Sequence, residues 1–120
     1  MPFFTRDNAK IYFEDDGWGE AIIAVHGLLE NTTYWKDIVN DISQKYRFIP
    51  MDMRGHGKTE VEGEAYGFDA ETIGDDIEAL ADYLNIKKFH LLTHSSGGFA
   101  GVRYAMRKTG RVAGLILTDT

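Results

Sequence analysis

Residues 89–98, FHLLTHSSGG, restrict what this chain can fold into more than any other stretch. Residues 89–92 are apolar and uncharged, which is typical of a buried strand, whereas residues 99–108 predict a helix. A serine must therefore lie at the tip of a tight strand-to-helix turn. Such a turn needs small residues two places on either side of its tip, because the strand and the helix pass close together there. Gly97 has no Cβ and meets this need, and Thr93 is small although β-branched.

Ser95 is the serine at this tip. Its hydroxyl would project from a helix N-terminus, where free N–H groups and the helix dipole favour negative charge, and this suits a nucleophile that attacks a carbonyl carbon. The pattern resembles the G-x-S-x-G nucleophile elbow of the α/β-hydrolase superfamily, with Thr93 in the place of the commonest first glycine. Ser96 does not fit the tip, because His94 stands two places before it. A serine that caps an ordinary helix is the alternative interpretation of this stretch alone.

The composition limits the classes of protein to which the chain can belong. A length of 120 residues suits one domain but is short for a complete enzyme of that superfamily. The net charge of −6, without a basic cluster, argues against a nucleic-acid partner. No apolar run reaches the ~18 residues of a membrane span, and the N-terminus lacks the apolar core of a signal peptide. Because cysteine is also absent, the sequence predicts a single cytoplasmic domain, residues 1–120, without a membrane partner.

Short apolar runs recur along the chain and predict its strands. The first two would form a hairpin across a turn at Asp7-Asn8, and residues 21–25 are typical of a strand buried on both faces. Residues 60–67 are acidic and predict a loop. Strands that alternate with helices imply right-handed crossovers and a largely parallel sheet. The predicted strands are residues 2–5, 10–14, 21–25, 47–51, 89–92 and 112–118.

Two further helices are predicted from apolar residues at helical spacing. The first would be one continuous amphipathic helix, with residues 31–33 offering capping side chains. The second opens at Thr72-x-x-Asp75 in the manner of a capping box, and its acidic positions between 69 and 78, Asp76 included, predict a solvated face. The apolar positions are Trp35, Ile38, Val39 and Ile42 in the first helix, and Ile73, Ile77, Leu80, Ala81 and Leu84 in the second.

Two more loops extend the resemblance over nearly the whole chain. His26-Gly27 follows the third predicted strand, and D-x-R-G-H-G, residues 52–57, follows the fourth, each at the interval found in α/β-hydrolases. The resemblance implies the N-terminal half of an esterase- or lactonase-like core, without the cap and the C-terminal strands. The expected fold is a partial α/β-hydrolase fold: a mostly parallel sheet of about six strands flanked by helices, with an N-terminal β-hairpin.

The resemblance also implies a serine-hydrolase site. By position, Ser95 would be the nucleophile, and the backbone N–H groups of Ser96 and Leu28 would form the oxyanion hole. Two donors matter because the tetrahedral intermediate concentrates charge on one oxygen. Gly27 would let its loop approach closely. The implied substrate is a small molecule with a carboxylic ester or related acyl group, and neither a cofactor nor a metal is expected.

Other residues near these loops have more than one interpretation. His26 is predicted to be structural and hydrogen-bonded within its own loop, with substrate contact as the alternative. Two leucines, residues 28–29, either line an acyl pocket or belong to the core. Asp52, Arg54 and His56 are predicted to tie down a loop and not to act as catalysts.

The rest of a catalytic triad is missing from the sequence. A serine hydroxyl needs a positioned base and a group that orients that base, and in this superfamily the acid and then the histidine follow the serine. No histidine follows Ser95, and the only later carboxylate, Asp119, is either the acid or a structural residue. His26 is a candidate substitute base. Alternatively, the acid and the histidine lie outside this chain, and residues 112–118 form an edge that pairs with a second copy or with a complementing C-terminal fragment.

Three observations bear on other functions. A catalytically inactive binding or scaffold protein on the same fold would account for the missing histidine. Gly57-Lys58-Thr59 looks like the end of a phosphate-binding P-loop, but Asp52 stands where the first glycine is needed and no helix begins at Thr59. His90 and His94 have an H-x-x-x-H spacing, but they lack the helix that would align both on zinc.

Overall fold

Two sheets and three α-helices make up the part of the chain that the computed structural model describes, residues 2–62 and 69–119. The helices are α1 (Val39–Ile42), α2 (Ala70–Tyr83) and α3 (Gly97–Ala105), and a 3₁₀ turn, Thr32–Trp35, precedes α1. The strands are β1 (Phe3–Arg6), β2 (Ala9–Tyr12), β3 (Ala21–Val25), β4 (Arg47–Met51), β5 (Glu60–Val61), β6 (Phe89–His94) and β7 (Val112–Thr118).

Four parallel strands form the central sheet, in the order β4-β3-β6-β7. β3 is buried along its whole length, as its continuous apolar sequence predicts. Its side chains alternate between two clusters, because Ile23 packs with residues of α2 and α3, whereas Ile22 packs with Trp35 on the opposite face. The carboxyl ends of β3 and β6 lie side by side, with Val25 paired to Thr93. This end of the sheet carries both of the loops that the sequence marked as functional.

The N-terminal hairpin is confirmed, and it belongs to a separate antiparallel sheet of order β1-β2-β5. Asp7 lies in its turn with φ +53°, a left-handed conformation that aspartate tolerates better than most residues. The predicted loop at 60–67 is wrong for residues 60–61, which form β5 because they pair with the open edge of β2. Residues 63–67 of that predicted loop lie outside the described residues.

The α/β class, the mostly parallel sheet and its flanking helices are confirmed. The prediction of about six strands in one mostly parallel sheet is corrected. In the described ranges the parallel sheet has four strands, and the first two predicted strands belong to the separate hairpin sheet. An isolated bridge between Phe13 and Met51 joins the two sheets. One main apolar cluster spans both, since Phe4 and Ile11 of the hairpin belong to the same core as Ile49 of β4.

The first predicted helix is not continuous. It divides into the 3₁₀ turn, whose backbone bonds run from Tyr34 N–H to the Asn31 carbonyl and from Lys36 N–H to the Thr33 carbonyl, and the single-turn α1. Asn31 caps the turn as predicted, because its side chain accepts the Thr33 N–H at 2.9 Å. The adjacent N–H of Thr32 donates to the Asp52 carboxylate at 2.7 Å, which fixes this segment to the loop after β4.

The second predicted helix is confirmed as α2, with two corrections at its polar positions. Asp69 is its N-cap, and it accepts the backbone N–H of Thr72 at 2.7 Å, so the cap lies three residues before the predicted capping box. The hydrogen bonds that the Thr72 backbone N–H and hydroxyl donate to Asp69 lower the pKa of its carboxyl group. Asp76 does not lie on a solvated face: it is fully buried and paired with Arg54. The helix is thereby anchored on its polar side as well as on its apolar side.

Candidate active site

Ser95 lies at an exposed turn between β6 and α3, as the sequence predicts. Its φ is +50°, in the left-handed region that a residue with a Cβ enters only at a cost of about 1–3 kcal/mol. The Ser95 N–H donates to the Thr118 carbonyl at 2.8 Å, so the end of β7 holds the turn in place. The Ser95 carbonyl accepts the Gly98 N–H at 2.9 Å, which begins the helix. A strained turn that is held from both sides is what a sharp strand-to-helix elbow requires.

The glycines around this turn make room for two different neighbours, the end of β3 and Thr93 of β6. A Cβ on Gly97 would overlap the His26 carbonyl oxygen and lie 2.9 Å from that of Val25, so the close neighbour of Gly97 is the end of β3 and not its own strand. The approach of β6 to α3 is relieved instead by Gly101, where a Cβ would lie 2.6 Å from Thr93 Cγ2. Gly101 therefore makes room for the β-branched residue that departs from the usual pattern.

The structure brings together all three predicted site residues, Ser95, Ser96 and Leu28. The Leu28 N–H donates to Ser96 Oγ at 2.7 Å, which places the loop after β3 directly beside the elbow. A Cβ on Gly27 would lie 3.2 Å from Ser95 Cβ and 2.9 Å from Glu30 Oε1, so the predicted close approach at Gly27 is confirmed. Ser96 is the N-cap residue of α3, at the end of a helix whose first N–H groups lack intrahelical acceptors.

The two leucines after Gly27 are not core residues. Leu28 and Leu29 are both exposed, and Leu29 has φ +64°. Of the two interpretations offered by the sequence, burial in the core is therefore wrong. An exposed apolar pair beside a candidate nucleophile remains consistent with a wall of an acyl pocket.

His26 is structural, because both of its ring nitrogens are used within the protein. Its Nε2 accepts the Met53 N–H at 2.9 Å, so the proton resides on Nδ1, which donates to the Gly27 carbonyl at 2.7 Å. The ring is fully buried, and this burial lowers the pKa of His26 below its ordinary value. A neutral imidazole whose acceptor nitrogen holds a backbone N–H cannot also take a proton from Ser95. The interpretation of His26 as a substitute base is therefore wrong.

A second histidine, His94, joins side chains from three elements beside the elbow. Its Nε2 lies 3.6 Å from Glu30 Oε2, and its Nδ1 lies 3.0 Å from the Tyr34 hydroxyl and 3.2 Å from that of Thr118. The ring stacks on Tyr34 with centroids 4.2 Å apart. Asp119, the only carboxylate after Ser95, is exposed and lies 3.9 Å from His94 Nδ1. The structure therefore places Asp119 beside the elbow, at the carboxyl end of the parallel sheet.

Sequence reasoning missed Glu30 and Tyr34, both of which lie in this cluster. Glu30 stands three residues after Gly27 and folds back on it, so that the Gly27 N–H donates to Glu30 Oε1 at 2.7 Å. An acidic residue three places after a loop glycine was the available signal. It is ambiguous, because the same spacing occurs in ordinary solvated turns.

The loop after β4 is tied down as predicted. The two carboxylate oxygens of Asp52 accept the N–H groups of Thr32 and Lys58 at 2.7 and 2.8 Å, and its carbonyl accepts the Thr59 hydroxyl at 2.7 Å. His56 Nδ1 lies 2.9 Å from the Arg54 carbonyl oxygen. The Lys58 N–H that a P-loop would offer to phosphate is thus engaged by the chain's own carboxylate, in agreement with the rejection of phosphate binding at this position.

Neither a metal site nor a membrane span is found in the described ranges. No group of three or more histidine, cysteine, aspartate or glutamate side chains there could hold a metal ion. His90 lies near Glu20, at 3.2 Å, at the opposite end of β6 from His94. Within the same residues, no helix is both long and apolar enough to cross a membrane. The cytoplasmic location and the exclusion of nucleic acid stay predictions from composition.

The strand order, the elbow and the loop beside it define the class of protein. Residues 20–120 match the family described as alpha/beta hydrolase fold, and the chain belongs to that family. It is 35% identical to a non-heme chloroperoxidase of Kitasatospora aureofaciens over 115 residues, which cover 94% of this chain. It is 30% identical to a cis-3-alkyl-4-alkyloxetan-2-one decarboxylase of Shewanella oneidensis over 120 residues, which cover 98% of this chain. A thermophilic esterase from Thermogutta terrifontis superposes with a TM-score of 0.84 at 32% identity over 91% of this chain.

The chain spans about two fifths of each of these proteins: 41% of the chloroperoxidase, 38% of the decarboxylase and 40% of the esterase. The match over residues 20–120 confirms the family predicted from the elbow and the two loops.

Proposed function

We propose that this chain forms the N-terminal half of a serine hydrolase that acts on a carboxylic ester or a related acyl substrate. The observation that carries the proposal is the position of Ser95, exposed at a turn with φ +50° beside the Leu28 amide. A serine that only capped a helix would not need a left-handed backbone. Similarity to the thermophilic esterase supports an ester as substrate, while the different names of the other relatives leave the particular ester open.

In the proposed reaction, Ser95 Oγ forms a bond to the acyl carbon while a base takes the hydroxyl proton. The electron pair of the carbonyl bond moves to its oxygen, and collapse of this intermediate expels the alcohol with a proton from the same base, leaving the acyl group on Ser95 Oγ. Water then attacks the acyl carbon while the base takes its proton, and release of the carboxylic acid returns a proton to Ser95 Oγ. The N–H groups of Leu28 and Ser96 stabilise the charged oxygen. In the resting protein the Leu28 N–H donates to Ser96 Oγ, so the substrate oxygen takes the place of that hydroxyl.

The base and the acid of this reaction are proposed to lie outside the chain. No histidine follows Ser95, and His26 is engaged through both nitrogens. β7 is the edge of the parallel sheet in the described ranges, and Ile116 and Leu117 on it are exposed. We propose that a complementing C-terminal segment or a second copy pairs with this edge. The expected result is a mass above that of the 13.5 kDa monomer by light scattering at micromolar concentration, and a purely monomeric mass would contradict pairing between copies.

The function is tested by reaction of Ser95 with a fluorophosphonate probe and by turnover of p-nitrophenyl acetate. Wild-type protein paired with the complementing segment that supplies the base should be labelled, and Ser95→Ala in the same pairing should lower labelling and turnover by about 10³-fold or more, because the nucleophile is lost. Ser43→Ala is the matched control, since the Ser43 hydroxyl donates to the Asn40 carbonyl of α1 at 3.4 Å and the variant should leave labelling unchanged. Labelling that persists in Ser95→Ala would place the nucleophile elsewhere.

A catalytically inactive binding protein on the same fold is the second candidate. It is favoured by the occupied nitrogens of His26 and by the hydrogen bond that already engages the Leu28 N–H. The same labelling experiment separates the two functions. A correctly folded wild-type protein that stays inert to both reagents when it is paired with the segment that supplies the base would favour the binding protein.

A further inference from the structure

We propose that Glu30 is a positioning residue that orients the Leu28 amide toward the elbow, an inference that rests on the hydrolase function proposed above. Glu30 closes the loop of residues 26–30, which is called the oxyanion loop from here on. Its two carboxylate oxygens face different partners, the Gly27 N–H on one side and the His94 ring on the other. Glu30 thus connects the loop that carries one proposed oxyanion donor to the strand that carries the nucleophile.

The orientation of the Leu28 N–H follows from how the peptide group before it is held. The Gly27 carbonyl oxygen accepts the His26 Nδ1–H at 2.7 Å and the Glu30 N–H at 3.2 Å. Because a peptide group is planar and trans, the Leu28 N–H must point away from that carbonyl. It points to the elbow, where it donates to Ser96 Oγ at 2.7 Å. Fixing the carbonyl of Gly27 therefore fixes the proposed oxyanion donor.

The Glu30 side chain fixes the preceding peptide group of the same loop. Its Oε1 accepts the Gly27 N–H at 2.7 Å, a charge-assisted bond of the short and strong kind. Together with the Glu30 N–H on the Gly27 carbonyl, this bond holds Gly27 from both sides. Gly27 has no side chain of its own to resist rotation, so the carboxylate supplies the restraint that a glycine lacks.

His94 holds the carboxylate in turn. Its Nε2 lies 3.6 Å from Glu30 Oε2, and the ring is kept in place by stacking on Tyr34 and by the Thr118 hydroxyl. Asp119 is the other charged group that faces the ring, at 3.9 Å. The His94 side chain is only 12% exposed and that of Glu30 30%, so the pair is partly sheltered from solvent. Because His94 directly precedes Ser95, loop and nucleophile share one rigid support.

A role in stability alone predicts a different result. A partly exposed contact of this kind contributes little to folding, so its loss leaves the fold in place. A misplacement of a reacting group by about 1 Å, in contrast, costs about 10²-fold in rate. Glu30→Ala should therefore leave the protein folded while it disorders the oxyanion loop. A large fall in the labelling rate of Ser95 without a comparable fall in stability would distinguish a positioning role from a role in stability alone.

The test compares wild-type protein with Glu30→Ala, Glu30→Gln and a matched control. The control is Glu20→Ala, which removes the other Glu–His contact of β6, that with His90, at the far end of the strand. The first readout is amide hydrogen exchange by NMR. Exchange of the Gly27 and Leu28 amides should rise about 10-fold or more in Glu30→Ala, whereas Glu20→Ala should leave both rates unchanged. Glu30→Gln keeps an oxygen acceptor for Gly27 and should give intermediate rates, and it serves if Glu30→Ala does not fold.

The second readout is the rate of Ser95 labelling by the fluorophosphonate. It should fall about 10²-fold in Glu30→Ala, recover in part in Glu30→Gln and stay unchanged in Glu20→Ala. Unchanged exchange of Gly27 and Leu28 in Glu30→Ala would overturn the inference, as would faster exchange with an unchanged labelling rate. If the wild-type protein is not labelled even when it is paired with the segment that supplies the base, the hydrolase function fails, and the exchange rates alone decide whether Glu30 orients the loop.

Discussion

Replacing Asp76 by alanine is expected to lower the free energy of unfolding by about 3–5 kcal/mol. Its side chain is 0% exposed, and its carboxylate accepts Arg54 Nε at 2.8 Å and Arg6 Nε at 2.7 Å. Arg54 is itself only 3% exposed, so removal of the carboxylate leaves a guanidinium group buried without its counter-charge. The effect should be large because desolvation of that charge is no longer compensated. Urea unfolding followed by circular dichroism measures it.

A control on the same helix separates this effect from the loss of any acidic residue of α2. Glu71 pairs with Arg103 and Arg107 at 2.6 and 3.2 Å, but its side chain is 55% exposed. Glu71→Ala should therefore change stability by no more than about 1 kcal/mol. Equal losses in the two variants would contradict the view that Asp76 acts through burial. Asp76 joins α2 to both the hairpin and the loop after β4, so its loss should also broaden the unfolding transition.

Replacing Gly97 by alanine is expected to destabilise the fold by about 1–3 kcal/mol and to abolish labelling of Ser95. A Cβ there would overlap the His26 carbonyl oxygen and lie 2.9 Å from that of Val25. These are backbone atoms at the end of β3, and they cannot move without displacing the oxyanion loop. The start of α3 must therefore shift away from the loop, which separates the Ser96 and Leu28 amides. Thermal unfolding and fluorophosphonate labelling report the two effects.

Gly74→Ala is the matched control for this substitution. Gly74 also lies within a helix, but a Cβ there would lie 3.0 Å from the Arg107 guanidinium, which is the far end of a flexible side chain, and in ordinary contact with Tyr104 Cβ at 3.7 Å. Alanine is favoured over glycine in a helix by about 1 kcal/mol, so this variant should be neutral or more stable and should be labelled normally. Wild-type stability and labelling in Gly97→Ala would contradict the prediction, because α3 could then lie farther from β3 without a loss of either property.

The elbow could be predicted from the sequence because its signals are local. The apolar run of β6, the serines and the glycines lie within ten consecutive residues, and backbone sterics alone turn that order into a strand, a sharp turn and a helix. β3 could be predicted equally well, since a strand that is covered on both faces has a continuous apolar sequence. The loops at 26–27 and 52–57 then followed from their positions at strand ends.

The features that could not be predicted depend on partners far away in sequence. Asp76 looks like one more acidic residue of a surface helix until Arg6, 70 positions earlier, is brought against it by the hairpin. The attachment of the 3₁₀ turn to the loop after β4 depends on Asp52, which accepts the Thr32 N–H across 20 positions. Glu30 is a local neighbour of Gly27, yet its second partner, His94, comes from another strand. Periodicity reports which face of an element is apolar, but it does not report which polar group will be enclosed.

The positive φ of Ser95 bears on how the proposed nucleophile could be lost. A left-handed backbone disfavours residues with a Cβ by about 1–2 kcal/mol, so glycine at this position would relieve the turn while it removes the hydroxyl. A more stable protein without the proposed nucleophile is therefore a single substitution away. A serine at a position where the backbone favours glycine fits the proposed use of its oxygen.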